Sequence, residues 1–266
     1  MVIFTIFVIL LFDVNTGNVI CLPKSGSTFV NALLGKHSLH EYDHQGISNL
    51  AIEMSSMPSE AIALYYLSTR REYISNYVDI STTMIFLIDY FSKTDYSLPT
   101  LFILRNPRDW CRSILSYSLD VARAGEYHDW VQNYQSLFTG GVHISARDLA
   151  NDTSLALKIN ALLPGLFRCW HNSHSRLASN IHKFGNLYML NTNNLSNNCS
   201  NICQLFAVDH QQIDLDNTIA FNCSTKSNII REMCDSYFKN LQDAPSSINH
   251  DSLSTYLTTV KDHKSI

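Results

Sequence analysis

Seven consecutive residues, Pro23-Lys24-Ser25-Gly26-Ser27-Thr28-Phe29, combine a full positive charge, three hydroxyl donors and one glycine. The run Asn18-Val19-Ile20-Cys21-Leu22 before them reads as a buried strand, and Phe29, Leu33 and Leu34 fall on one face of a helix that follows. A turn between strand and helix aims successive backbone N–H groups at one point, where the helix dipole adds positive potential. Gly26 lets the backbone approach an anion closely. Residues of these types in this order suit a phosphate or a phosphosulfate. A Walker A loop carries its lysine after the second glycine, whereas Lys24 precedes the only glycine of this turn, so that motif does not match.

A second strand-to-helix junction lies further along. Leu101-Phe102-Ile103-Leu104 is apolar and ends at Arg105-Asn106-Pro107. Proline suits the first turn of a helix, where its missing N–H costs nothing. Trp110, Ile114, Leu115 and Tyr117 recur at helical spacing, and Gly125 marks the end. Ser113 falls eight residues after Arg105, on that helix.

In these two elements the chain resembles the PAPS-dependent sulfotransferase superfamily, where PAPS is 3′-phosphoadenosine-5′-phosphosulfate. That family has a P-K-[ST]-G-[ST]-[ST]-[WF] loop after its first strand, and Pro23 to Phe29 matches every position. Its second element is a strand ending in R-[ND]-P with a serine eight residues after the arginine, as with Arg105 and Ser113. A third, weaker likeness is Leu187-Tyr188-Met189-Leu190 with Asn191 to Leu195, similar to a family strand end but without its acidic residue. The resemblance spans roughly residues 18–260 and is dense only in the first two motifs.

The resemblance implies that Lys24, Ser25, Gly26, Ser27 and Thr28 hold the 5′-phosphosulfate, and that Phe29 packs on adenine or in the core. It implies that Arg105 and Ser113 hold the 3′-phosphate and that Lys226 lies in a C-terminal cofactor loop. Lys24 is also the expected catalytic cation, with PAPS as co-substrate and no metal. A hydroxyl acceptor needs a general base. The family places one near the strand before the arginine-bearing strand. Here that stretch, residues 71–80, holds no histidine, and Asp79 is nearest to the expected place. Glu72 and His44 are the alternatives. The acceptor stays open among small-molecule, lipid and carbohydrate hydroxyls and peptide tyrosine. A P-loop kinase and a non-catalytic nucleotide-binding protein are the competing functions.

Positioning these residues takes alternating strands and helices: a three-layer, P-loop-like α/β fold with a mainly parallel sheet flanked by helices. Residues 83–91 read as helix, 36–60 as loop with a short helix, and 166–181 as helix. Further on, 186–190 read as strand, 202–208 as helix, and 227–241 and 252–260 as C-terminal helices. Residues 126–165 show little beyond a turn at Gly140-Gly141.

At 266 residues with 45% hydrophobic and 16% charged, the chain suits one elaborated globular domain, 18–266, after an apolar segment, 1–17. A net charge of −4 argues against a nucleic-acid binder that works by bulk charge. The apolar run Met1 to Phe12 is too short to span a bilayer. It reads as a buried element, giving a cytoplasmic protein, or as a targeting segment leading to the secretory lumen, which leaves membrane association open. The seven cysteines show no zinc spacing and read as scattered thiols, with a disulfide among Cys199, Cys203 and Cys223 as the alternative. Four glycosylation sequons are about what the composition gives by chance, so they do not decide the compartment.

Overall fold

Val19 and Cys21 project from one face of the first strand and Ile20 and Leu22 from the other, and all four are buried. A strand covered on both faces needs helices on both sides, and its sequence is a continuous apolar run. A computed structural model describes residues 16–94, 97–125, 129–209 and 228–243. Residues 1–15 of the apolar segment 1–17, the 252–260 helix, Cys223 and Lys226 lie outside the described residues.

The strands are β1 (Gly17–Cys21), β2 (Ser38–His40), β3 (Val78–Ser81), β4 (Thr100–Leu104) and β5 (Leu187–Asn191). They form one parallel sheet in the order β2-β3-β1-β4-β5. The helices are α1 (Ser27–Leu34), α2 (His44–Ser56), α3 (Glu60–Tyr73), α4 (Ile88–Phe91), α5 (Pro107–Ala124), α6 (Asp129–Thr139), α7 (Asp152–Asn180), α8 (Cys199–Leu205) and α9 (Asn228–Asp243). On one face of the sheet Val19, Cys21, Ile80, Leu101 and Ile103 pack with α1 and α8. On the other, Ile20, Phe102 and Leu104 pack with α2, α3, α5, α6, α7 and α9. The fold is therefore a three-layer α/β sandwich.

The chain leaves β1 toward β2 and leaves β4 toward β5, while β1 and β4 are neighbours. Connections that diverge from adjacent parallel strands open a crevice at their C-terminal ends, where ligands of such sheets bind. The Lys24 loop and the Arg105 junction are the two lips of that crevice.

Several elements differ from the sequence reading. Residues 36–60 hold the edge strand β2 and a 13-residue helix, α2. Residues 83–91 divide into a 3₁₀ turn, Met84–Leu87, and α4. Residues 126–165 hold α6 and the first half of the 29-residue α7, which runs through Pro164. Asn106 caps α5, accepting from Asp109 N–H, and Gly125 ends it with φ 68°. Gly140 and Gly141 both take positive φ at the expected turn. The six described cysteines are free thiols. Among the described residues no helix is long and apolar enough to cross a membrane.

Candidate active site

After β1 the chain turns sharply, with Lys24 at φ 62° and Gly26 at φ 116°. Left-handed backbone costs a lysine energy and persists where surrounding contacts enforce it. Three such contacts grip consecutive carbonyls. Trp110 Nε1 on α5 donates to Pro23 O at 2.7 Å, the Arg105 guanidinium donates to Lys24 O, and Thr192 Oγ1 donates to Ser25 O at 2.7 Å. Beneath Gly26 lies Leu195, which would collide with any side chain there. With its carbonyls held, the loop leads into the N-terminus of α1, whose first turn carries no acidic residue. Such a terminus favours an anion.

The loop forms one wall of a cavity of about 390 Å³. Lys24, Gly26, Ser27, Thr28 and Phe29 line it and Ser25 does not, and His44 joins them from the start of α2. The Lys24 ammonium lies 5.5 Å from the centre of the Tyr117 ring, also in the wall. Partial burial lowers the Lys24 pKa, the Arg105 charge adds to this, and Asp120 opposes it. Ser25 is buried, and its hydroxyl has no hydrogen-bond partner among the described residues.

Arg105 follows β4 directly, and its own carbonyl accepts from Trp170 Nε1 at 2.9 Å. Burial lowers the Arg105 pKa, with Asp109 acting against it. Ser113 is half-buried, three residues after Trp110 and four before Tyr117. Those offsets put it on the helix face turned toward the loop. Arg105 thus meets the Lys24 loop directly through the Lys24 carbonyl, while neither Arg105 nor Ser113 lines the cavity itself.

Asp79 does not join them, and its assignment as general base is withdrawn. It lies inside β3, where Val78 and Ile80 face α1 and α8, so its side chain emerges on the opposite face. There Arg70 of α3 holds it in a buried two-pronged ion pair, with Nε at 3.0 Å and Nη2 at 2.8 Å. Thr82, just beyond β3, is the first residue of that stretch to reach the cavity. Glu72 is exposed on the last turn of α3, away from the cavity lining.

The carboxylate in the cavity is Glu41, which the sequence reading passed over. It follows β2 in left-handed backbone at φ 55°. Its Oε2 lies 2.9 Å from His44 Nδ1, and its Oε1 accepts from Thr82 N–H at 3.0 Å. Burial raises its pKa, but the His44 and Thr82 hydrogen bonds and the neighbouring His44 and His40 outweigh this and hold it below the usual carboxylate range. An ionised carboxylate only accepts, so His44 Nδ1 donates to it, and in a neutral ring Nε2 is then the nitrogen with the lone pair. The His44 ring packs edge-on against Tyr134 at 4.3 Å, and Tyr134 OH pairs with Thr82 Oγ1 at 3.0 Å.

The available signal was the i, i+3 spacing of Glu41 and His44. With His40 it spells H-E-x-x-H, a zinc motif when carried on a helix. Here β2 ends at His40, and Glu41 and Asp43 are left-handed, so the segment is a strand and a turn. Among the described residues no group of three His, Cys, Asp or Glu is placed to hold a metal ion.

Compared with models of known protein families and with curated proteins, the chain matches none.

Proposed function

We propose that the chain is a sulfotransferase that moves a sulfuryl group from PAPS to an acceptor hydroxyl, within a P-loop-like domain. The observation that carries this reading is the junction of the Lys24 loop and Arg105 at one crevice, with the Arg105 guanidinium on the Lys24 carbonyl. The donor set suits an anion with two separated phosphate groups. Loop N–H groups, Ser27, Thr28 and the Lys24 amine would hold one, and Arg105 and Ser113 the other. Bound PAPS would supply an electrophilic sulfur and a phosphate leaving group.

The chain's own residues would do the rest by positioning and charge. Lys24 would meet the negative charge that gathers on the leaving oxygen. His44 would take the proton of the acceptor hydroxyl at Nε2, because Glu41 holds Nδ1–H and fixes the tautomer. Glu41, with one oxygen on His44 and the other on Thr82 N–H, would orient the ring and stabilise the imidazolium. This is the division of labour by which a carboxylate supports a histidine base.

The test is a binding comparison of adenosine 3′,5′-bisphosphate, ADP and ATP, with and without magnesium, followed by assay of bisphosphate release from PAPS across an acceptor panel. The reading expects the bisphosphate to bind best without magnesium and an acceptor to speed its release. Preference for magnesium-ATP would replace the reading with a kinase. Tight bisphosphate binding with no turnover on any acceptor would leave a nucleotide-binding protein.

A further inference from the structure

Pro23, Lys24 and Ser25 offer their carbonyls to three side chains from three parts of the fold. Trp110 belongs to α5, Arg105 to the end of β4, and Thr192 to the turn after β5. Trp110 belongs to the core, and Arg105 already has a role in the site. Thr192 is neutral, half-buried and absent from the cavity lining. Its hydroxyl nevertheless lies 2.7 Å from Ser25 O and 2.9 Å from Leu104 O. A hydroxyl has one proton, so it donates to one carbonyl or is shared between both. Ser25 sits in the loop after β1, and Leu104 is the residue before Arg105. One hydroxyl therefore ties together the two lips of the crevice. Three residues on, Leu195 packs under Gly26.

We infer that Thr192 is a positioning residue for the anion loop, its hydroxyl fixing the gap between the Lys24 loop and the Arg105 junction. The inference rests on the anion-binding reading of that loop and not on the identity of the transferred group. A ligand reaching from Lys24 to Arg105 feels the width of that gap. Val has the shape of Thr without its donor, so Thr192→Val removes the tie and leaves the packing. Thr192→Ser keeps the donor and loses a methyl group.

The experiment compares wild type, Thr192→Val and Thr192→Ser in two measurements. Amide hydrogen exchange of residues 23–29 in the ligand-free protein needs no ligand identity. It should quicken several-fold in Thr192→Val and stay near wild type in Thr192→Ser. Calorimetry with adenosine 3′,5′-bisphosphate, ADP and inorganic pyrophosphate should show about tenfold weaker binding for Thr192→Val, of whichever anions wild type holds, and recovery in Thr192→Ser. Unchanged exchange in Thr192→Val overturns the proposal, as does an equal effect in both variants, which would assign the residue to packing alone. If wild type prefers ADP or pyrophosphate, the sulfotransferase reading fails while the contrast between the two variants still decides Thr192. If wild type binds none of the three, exchange of residues 23–29 decides it.

Discussion

His44 Nδ1 lies 2.9 Å from Glu41 Oε2, across a left-handed turn that joins the edge strand to α2. The turn has its own supports. Asp43 caps α2 through Gly46 N–H at 3.3 Å, Tyr66 OH donates to Asp43 Oδ2 at 2.5 Å, and Arg70 donates to the Tyr42 carbonyl. Non-glycine residues in left-handed backbone cost of order 1–3 kcal/mol each and cluster at functional sites. Lys24 and Glu41 both belong to this class, and they line the same cavity from different strands.

If Glu41 orients His44, Glu41→Gln should reverse the ring's protonation. An amide can donate to Nδ1, which moves the proton to Nε2 and leaves no lone pair toward the acceptor. Turnover should fall by about 10²-fold or more, the scale of a lost general base, while bisphosphate affinity changes less than about threefold. Steady-state kinetics alongside calorimetry would check this. Turnover near wild type would remove the pair from the mechanism.

The contrast between Glu41 and Asp79 explains how much could be read in advance. Val19 to Leu22 and Leu101 to Leu104 were legible because strands buried on both faces leave unbroken apolar runs. Lys24 and Arg105 were legible because each follows such a run. Glu41 was not, since β2 is three residues long and a left-handed glutamate leaves no periodic signal. Asp79 looked available because its partner, Arg70, comes from α3, across a turn that the sequence does not pair with the strand. The helix read over 166–181 in fact starts at Asp152 and runs through Pro164, because packing along a 29-residue helix outweighs one missing hydrogen bond.

Asp79 should matter to stability. Removing one partner of a buried ion pair leaves the other charge uncompensated, at a cost of roughly 3–5 kcal/mol. Burial alone would lower the Arg70 pKa, but the Asp79 charge and hydrogen bonds raise it. Asp79→Asn should therefore lower the urea midpoint while turnover per folded molecule falls less than about tenfold, well short of a missing base. Arg70→Met with Asp79→Leu should recover part of the stability, since no charge is then left alone. A stable Asp79→Asn protein with turnover lost would return Asp79 to the mechanism.

In the proposed mechanism Lys24 meets charge that develops during reaction. Its amine lies over the Tyr117 ring in the cavity wall, and its carbonyl is held by Arg105. Lys24→Ala should cost at least about 100-fold in turnover, the scale of a missing transition-state donor. Bisphosphate binding should weaken less, because the loop N–H groups and Arg105 remain. Single-turnover kinetics at saturating PAPS separate the two effects, and equal losses in both would reduce Lys24 to a binding group.

The pH dependence of stability should trace to His174, at the far end of a chain of contacts from Arg105. Its ring stacks on Trp170 at 4.1 Å, its Nδ1 lies 2.7 Å from Trp170 O, and the Trp170 indole donates to Arg105 O. Burial lowers its pKa to about 4; the hydrogen bond to the Trp170 backbone opposes this, and His171 adds to it. In the unfolded chain the value returns to about 6.5. Between these two values the unfolded chain binds a proton that the native protein does not, so stability rises with pH across the window. The contribution is complete above pH 6.5 and is lost as the pH falls toward 4. A displacement of this size is worth about 3 kcal/mol across the window. Glu41, whose pKa is held low, adds acid sensitivity of the same sign, but below its unfolded value near 4.5. Urea titrations of wild type and His174→Phe at several pH values from 4.5 to 7.5 separate the two. Phe keeps the stacking and cannot take a proton, so the variant should be less stable at pH 7 and should lose less on acidification to pH 5. Parallel curves for the two proteins would place the acid sensitivity elsewhere.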